Sequence, residues 1–470
     1  MKIEKMRKYA VNKINRWFAS LNDKGVEKIA DIFAQEIERL NIKYFNDSGK
    51  PRDIKLVLKP WLIKTEELTF FHRLIFDFKA VQHKLFLLYL QHEEIRQVMP
   101  LRPEERQWFG LINKDKAQKY QAVFGRWDTN VTFDEHDNIR DVKFLENNTV
   151  GIGGIHYIPV VSEASRKILK IQLEKEIRPY RLNYQADPRH ILAEEIKSHA
   201  KFIGRARLNV VFMEDRQHLG GTVELPELTK YFLKLGITAI LADPRDLHLK
   251  GNEIYCRDTN IDIIYRDSEL QELIDIERKG HTMAVLKQAF ISNQVISSIA
   301  GELDHKSGFE IFSNTEFSRF FSGKEKALFK KYIPWTRILK ERKTTDRANR
   351  IIELIPYVLK NKDKLVLKPN RAYGGKGILI GKLTKEKNWS ECVQKALAKP
   401  GDYVAQDLVD IHQESYPLFN SRNKIEFDTF YAVSGFVVNR WRTAVLGRFS
   451  KEMVVNVARK GGIIPAFLLL

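Results

Sequence analysis

The chain has 470 residues, 43% of them hydrophobic and 30% charged, with 28 Phe and 7 Trp. That balance excludes whole-chain disorder, collagen and coiled coil, and at roughly 150 residues per domain it leaves room for about three domains. Lys and Arg number 79 against 60 Asp and Glu, a formal charge of +19, so the surface attracts anions: nucleotides, nucleic acid, acidic peptides or an anionic membrane.

No run of about 18 apolar residues exists, so no membrane-spanning helix is expected. Two cysteines, Cys256 and Cys392, are few for a secreted chain of this size and point to the cytoplasm. The amino-terminal run MKIEKMRKYAVNKINRWF is charged throughout and lacks the apolar stretch of a secretory signal.

In chain order, residues 1–120 read as a mostly helical region. Val26, Ile29, Ile32, Phe33, Ile37 and Leu40 recur at helical spacing, as do Phe70, Leu74, Phe76, Leu85, Leu88 and Tyr89. Residues 121–184 turn to short β-rich pieces, with GIGGIHYIPV at 151–160 read as a Gly-rich turn and strand. Residues 185–300 alternate. Helices are expected at His190–Phe202, Leu225–Leu235 and near Glu269–Glu277, and strands at Leu208–Phe212, Ile237–Ala242 and Ile261–Tyr265. One helix between successive strands predicts βαβ units and a parallel sheet. Residues 301–470 open with a helical, strongly basic stretch (306–360). They continue through the β-rich pieces LVLKP, GILIGKL, DYVAQDLVD, FDTFYAVSGFVV and EMVVNVA. The pentapeptide LVLKP occurs twice, at 56–60 and 365–369, with different flanks, so chance or unrelated roles explain it. The apolar IIPAFLLL at the carboxyl end either tucks into the core or marks a truncated frame.

The most informative segment is KLVLKPNRAYGGKGILIG, 364–381. A strand ends at Lys368–Pro369, a loop carries Gly374, Gly375, Lys376 and Gly377, and a second strand follows at once. Glycines let backbone N–H groups approach an anion, and lysines add charge. The loop runs strand to strand, so it is neither a P-loop nor a dinucleotide fingerprint, both of which lead into a helix. It suits a lid over nucleotide phosphates; an ordinary glycine hairpin on a basic surface would read the same. Upstream lie Arg126-x-Asp128 and Glu146-x-Asn148. Strand alternation puts i and i+2 on one face, so each pair can point into one site and a hairpin can join them. A solvated, salt-bridged hairpin is the alternative.

The lysine and Gly-rich segment resembles the ATP-grasp superfamily. The resemblance implies that Lys368 and the Tyr373–Gly377 loop contact ATP phosphates. It implies that Gln406, Asp407 and Val409 form the adenine-side hinge, and that a further phosphate-side lysine comes from GKEKALF, with Lys326 preferred over Lys324. R-x-D followed by E-x-N, ahead of the Gly-rich loop, is similar to the glutathionylspermidine-synthase type, a circularly permuted ATP-grasp ligase without, here, its amidase half. That likeness implies Asp128, Glu146 and Asn148 on Mg²⁺, with Arg126 on phosphate or a developing acyl phosphate. It also implies a late arginine on phosphate or substrate: Arg448 is the candidate, with Arg440 and Arg442 as alternatives. Asn456 is a further polar contact or a plain strand residue.

The expectation is therefore an α/β (α+β) chain, ATP-grasp-like, with a pre-ATP-grasp βαβ domain and a mostly helical N-terminal region. The implied activity is an ATP- and Mg²⁺-dependent ligase joining a small-molecule or peptide carboxylate to an amine or thiol through an acyl phosphate. An ATP-dependent phosphotransferase, or a non-catalytic basic binding protein, would use the same scaffold. Neither membrane nor nucleic acid is an expected partner, although Tyr332 and Trp335 in the basic run 330–350 have the character to stack on bases. Asp262 and Arg266 end a predicted strand and either touch substrate or form an intramolecular ion pair. His156, His190 and His305 show no zinc spacing, and no G-x-S-x-G elbow exists.

Overall fold

The structure, a computed structural model, describes residues 6–46, 48–112, 121–170, 182–217, 220–457 and 461–469. The first five residues of the amino-terminal run, residues 171–181 of the β-rich segment, 458–460 after the EMVVNV stretch, and Leu470 lie outside that description. Among the described residues no helix is long and apolar enough to cross a membrane.

The fold is mixed α/β and is organised by three sheets. The first is the parallel sheet expected within 185–300. Its strands run in the order Thr238–Ala242, Asn209–Met213, Ile263–Arg266, Val295–Ile296, and each neighbouring pair is parallel. Val210, Val211, Phe212 and Met213 are all fully buried, as a strand covered on both faces requires. Helices Pro188–Phe202, Glu224–Lys234 and Leu270–Arg278 lie where the sequence puts them.

The second sheet is seven-stranded. Its main path runs Lys55–Leu56, Gly462–Ile464, Thr443–Ser450, Ile425–Val438, Arg126–Phe133, Ile139–Asn148, and Gln413–Phe419 adds to Ile425–Val438. One face is covered by the long helix Thr65–Gln91. Phe71 packs on Phe436 with ring centroids 4.5 Å apart, and Phe78 packs on Phe144 at 4.3 Å and Trp127 at 5.6 Å. The other face carries the charged pairs. The third sheet is antiparallel, in the order Thr336–Ile338, Tyr403–Asp407, Leu365–Pro369, Leu379–Ile380. Its last two strands form the Gly-rich hairpin, with Val366 opposite Ile380.

Four expectations change. Residues 151–160 form a turn that enters a helix, Tyr157–Lys170, not a strand. The Glu224 carboxylate accepts the N–H groups of Gly154 and His156 and so satisfies the helix start, while Pro159 sits in the first turn, where its missing N–H costs nothing. Residues 1–120 contain short strands as well as helices, at Lys43–Phe45, Pro51–Asp53, Lys55–Leu56 and Trp61–Lys64. The basic stretch 306–360 likewise holds the strands Thr336–Ile338, Lys343–Thr345 and Ile351–Glu353 between its helices. Within EMVVNVA, the described residues 452–457 form no strand and lie as a loop over the site described next. The apolar carboxyl segment tucks in: Ala466–Leu469 pairs in parallel with Trp61–Lys64.

Candidate functional site

Strands Arg126–Phe133 and Ile139–Asn148 pair antiparallel, with Arg126 opposite Asn148 and Asp128 opposite Glu146. The two sequence pairs therefore converge on one face, across from one another. A register shift follows between Asp128 and Thr129. The extra residue is Leu145, whose carbonyl is freed from the ladder and accepts a hydrogen bond from Lys368 Nζ at 3.1 Å. That bond ties the hairpin to the third sheet.

Asp128 is buried at the centre. Its Oδ1 accepts from Arg126 Nε at 2.8 Å, and its Oδ2 accepts from Arg126 Nη2 and Asn148 Nδ2, each at 3.0 Å. Arg448 Nη2 approaches the same Oδ2 at 2.7 Å from the strand Thr443–Ser450. The neighbouring strand makes room with Gly435, which faces Asp128. A Cβ there would stand 2.8 Å from both Asp128 Oδ1 and Arg126 Cδ, so only glycine fits. Glu146 lies 3.3 Å from Lys306 Nζ, and Lys306 also donates to the Ala372 carbonyl at 2.8 Å.

Burial works against each of these charges. For Asp128 it is outweighed by Arg126 and Arg448, which hold the carboxyl below its usual range. For Glu146 it is outweighed by Lys306, Lys368 and Arg448, although Asp128 opposes them. For Lys368 burial prevails over the attraction of Glu146 and lowers the ammonium to about 8. The result is a water-poor cluster of four cations, Arg126, Lys306, Lys368 and Arg448, around two carboxylates. Such an excess attracts phosphate strongly in a low-dielectric setting.

This cluster opens on a cavity of about 520 Å³. Arg126, Asp128, Glu146, Asn148, Lys368 and Arg448 line it, as do Gly374 and Gly375 of the hairpin tip, Gln406 and Asp407 at the end of the strand Tyr403–Asp407, and Val409 just beyond it. Gln406 donates to Thr336 Oγ1 at 3.0 Å, and its Oε1 is buried without a hydrogen-bond partner, an acceptor left for a ligand N–H. Asp407 pairs with Arg347 at 2.5 Å, and burial raises its carboxyl. The loop at 453–457 closes over the hairpin tip: Asn456 Nδ2 donates to the Gly374 carbonyl. Gly375 has φ +67°, and a Cβ on it would meet Val454 at 2.6 Å.

Several sequence candidates fall elsewhere. Lys326 is exposed on the helix Gly323–Tyr332 and does not line the cavity; the lysine that pairs with Glu146 is Lys306, which lies in no recognisable motif. Lys376 is exposed, and Gly377 packs against Pro369; neither lines the cavity. Arg266 is buried and pairs with Glu302 at 2.6 Å, while Asp262 accepts from the Asn209 N–H at 2.9 Å. Both are therefore structural, and they do not pair with each other. Tyr332 and Trp335 are buried and not free to stack on bases. Sequence reasoning also missed Glu224, a lone carboxylate without patterned neighbours, which lines the cavity beyond Arg126.

Among the described residues no group of three or more His, Cys, Asp or Glu could hold a metal ion. Asp128, Glu146 and Asn148 nevertheless offer only oxygen donors of the kind Mg²⁺ takes, and Mg²⁺ normally shares its shell with phosphate oxygens and water.

No protein-family model matches the chain, and no curated protein matches it. Solved structures do. A glutathione synthetase-like effector from Globodera pallida, in its apo form, is 11% identical. Its match covers 95% of this chain and 96% of that one, with a TM-score of 0.62. A Methylobacillus flagellatus KT protein assigned as a gamma-glutamylcysteine synthetase is also 11% identical over 80% of this chain and 83% of its own, with a TM-score of 0.35. The first likeness places the fold with ATP-grasp-like architectures.

Proposed function

We propose that the chain is an ATP- and Mg²⁺-dependent ligase that joins a carboxylate to an amine or thiol, with the permuted ATP-grasp order of the glutathionylspermidine-synthase type. The observation that carries this reading is the facing pair Asp128 and Glu146, tied through Leu145 to Lys368 at the root of the Gly-rich hairpin, all on one cavity. The fold shared with a glutathione synthetase-like protein supports the same class.

In this reading the adenine lies against Gln406–Val409, and the phosphates meet Lys368, Lys306 and Arg448. Glu146, Asn148 and Asp128 would hold Mg²⁺, which supplies charge neutralisation and an oriented γ-phosphate when bound. Incoming phosphates compete with Asp128 for Arg448 and so release an Asp128 oxygen. The substrate carboxylate oxygen attacks Pγ, the bond from Pγ to the β-bridging oxygen breaks, and ADP leaves. The nucleophile, as free amine or thiol, then attacks the acyl carbon, the acyl carbon–oxygen bond to the phosphoryl group breaks, and the departing phosphate takes up the nucleophile's proton. The covering loops exclude water from the acyl phosphate.

Calorimetry of Mg²⁺-dependent ATP binding tests it, with Lys368→Ala and Glu146→Ala beside the wild type. Both variants are expected to lose most of the binding. Wild-type protein that binds no ATP with Mg²⁺ present overturns the reading. Once substrates are found by ADP release, free phosphate marks a ligase and a phosphorylated acceptor marks a phosphotransferase.

A further inference from the structure

The segment 301–307 stands behind the site and grips two of its parts at once. It is itself fixed to the parallel sheet, because Glu302 pairs with the buried Arg266 at the end of the strand Ile263–Arg266. On one side it holds the strand Ile139–Asn148. The N–H of Thr149, directly after Asn148, donates to Asp304 Oδ2 at 3.2 Å, and Thr149 Oγ1 donates to the Gly301 carbonyl. On the other side it holds the root of the Gly-rich hairpin. The Tyr373 hydroxyl donates to Asp304 Oδ1 at 3.1 Å, and the N–H groups of Lys306 and Ser307 donate to the carbonyl and Oδ1 of Asn370 at 3.0 and 2.8 Å.

Two side chains of this segment bridge the two parts, and they differ in what competes for them. Lys306 spans Glu146 and the Ala372 carbonyl, but in the ligase reading the phosphates draw on it. Asp304 and Tyr373 do not line the cavity, so nothing bound there competes for their bond. Asp304 is buried, and burial, with Glu302 adding to it, pushes its carboxyl up to about 6. At neutral pH it is therefore mostly ionised, and its two hydrogen bonds are of the stronger, charge-assisted kind. Tyr373 is also the last held residue before the tip. Gly374 and Gly375 follow it with φ of +66° and +67°, a region that glycine enters freely, and Lys376 beyond them is exposed. The hairpin thus has a pinned root and a permissive tip, and the Tyr373–Asp304 bond marks the boundary.

We propose that Asp304 is a positioning residue: through Tyr373 on one oxygen and Thr149 on the other, it fixes the pivot of the Gly-rich hairpin over the strand that carries Glu146 and Asn148. The proposal rests on the reading of the cavity as an ATP site and deepens it, because it names what sets the lid in register with the carboxylate side. Asp304 touches no ligand and acts only through these two partners.

The test reads calorimetry of ATP with Mg²⁺ and trypsin cleavage after Lys376 on the full chain, with urea melts beside them. ATP with Mg²⁺ is expected to slow that cleavage in the wild type. Tyr373→Phe removes one hydroxyl and leaves the bond to Thr149. It is expected to weaken ATP binding by about tenfold and to lose most of the protection at saturating ATP. Asp304→Ala is expected to do the same, and Tyr373→Phe added to it is expected to change nothing further, because the hydroxyl works through the carboxylate. Asp304→Ala also strips the buried Thr149 N–H of its acceptor; if its melt shows an unfolded chain, Tyr373→Phe decides alone. A purely structural bond would move the melt and leave affinity and protection at wild-type values, and that result overturns the proposal. So does a Tyr373→Phe penalty as large in the Asp304→Ala background as in the wild type. Wild type that binds ATP beside an unaltered Tyr373→Phe removes this inference alone; wild type that binds no ATP removes the reading beneath it and this inference with it.

Discussion

Lys368 is held at a cost to the fold. Burial lowers its ammonium to about 8, against about 10.4 in an unfolded chain. At neutral pH both states are protonated, and the folded state bears the full penalty of the buried charge. As pH rises from about 8 towards about 10.4 the folded lysine loses its proton first and the penalty fades. Lys368→Met is therefore expected to raise unfolding free energy at pH 7 by about 1–3 kcal/mol while abolishing ATP binding. The gain should shrink in urea melts repeated at pH above the native value. Gly435 acts through space and not through charge. Its missing Cβ leaves 2.8 Å for Asp128 Oδ1, and Gly435→Ala is expected to cost about 1–3 kcal/mol by overpacking and to weaken ATP binding, because Asp128 and Arg126 must both shift.

At the scale of elements, two loops close the cavity. The bond from Asn456 to the Gly374 carbonyl joins them, and a single neutral hydrogen bond contributes about 0.5–1.5 kcal/mol. Asn456→Ala is thus expected to speed ATP release by about two- to tenfold, measured by stopped-flow displacement. Element type also decides what could be read beforehand. The helices and strands of 185–300 were legible because each buried strand is a continuous apolar run bounded by an amphipathic helix. The strands Lys55–Leu56 and Trp61–Lys64 were not, because their partners lie near 463 and 467 and no local pattern carries a pairing that distant. EMVVNVA alternates like a strand, but Met453, Val454, Val455 and Val457 line the cavity instead of a sheet core. The charged hairpin was legible because i, i+2 spacing on two strands survives into geometry. Lys306 and Glu224 reach the site from segments that carry no spacing rule. The two LVLKP copies make the point with identical residues. Lys368 faces the cavity, whereas Lys59 is buried against Glu414 at 2.5 Å and over the Tyr416 ring.

At the scale of the whole molecule, the site is backed by the helix Thr65–Gln91, whose aromatic residues brace the reverse of the hairpin. Phe78 is fully buried against Trp127, Phe144 and Phe329. Phe78→Ala is expected to cost about 3–5 kcal/mol, read from urea unfolding, and to weaken ATP binding without touching a ligand.

The hairpin bearing Asp128 and Glu146 completes its sheet only through Ile425–Val438, some three hundred residues further along. During synthesis it emerges early, with its apolar back exposed and one edge unpaired. Pairing at that range makes folding slow, because loop-closure entropy must be overcome before any contact compensates. The helix Thr65–Gln91 precedes the hairpin in the chain and can shelter that back while the rest is made. The unpaired edge waits for the ribosome to deliver its neighbour, which is the period when a nascent chain is most open to aggregation and to chaperones.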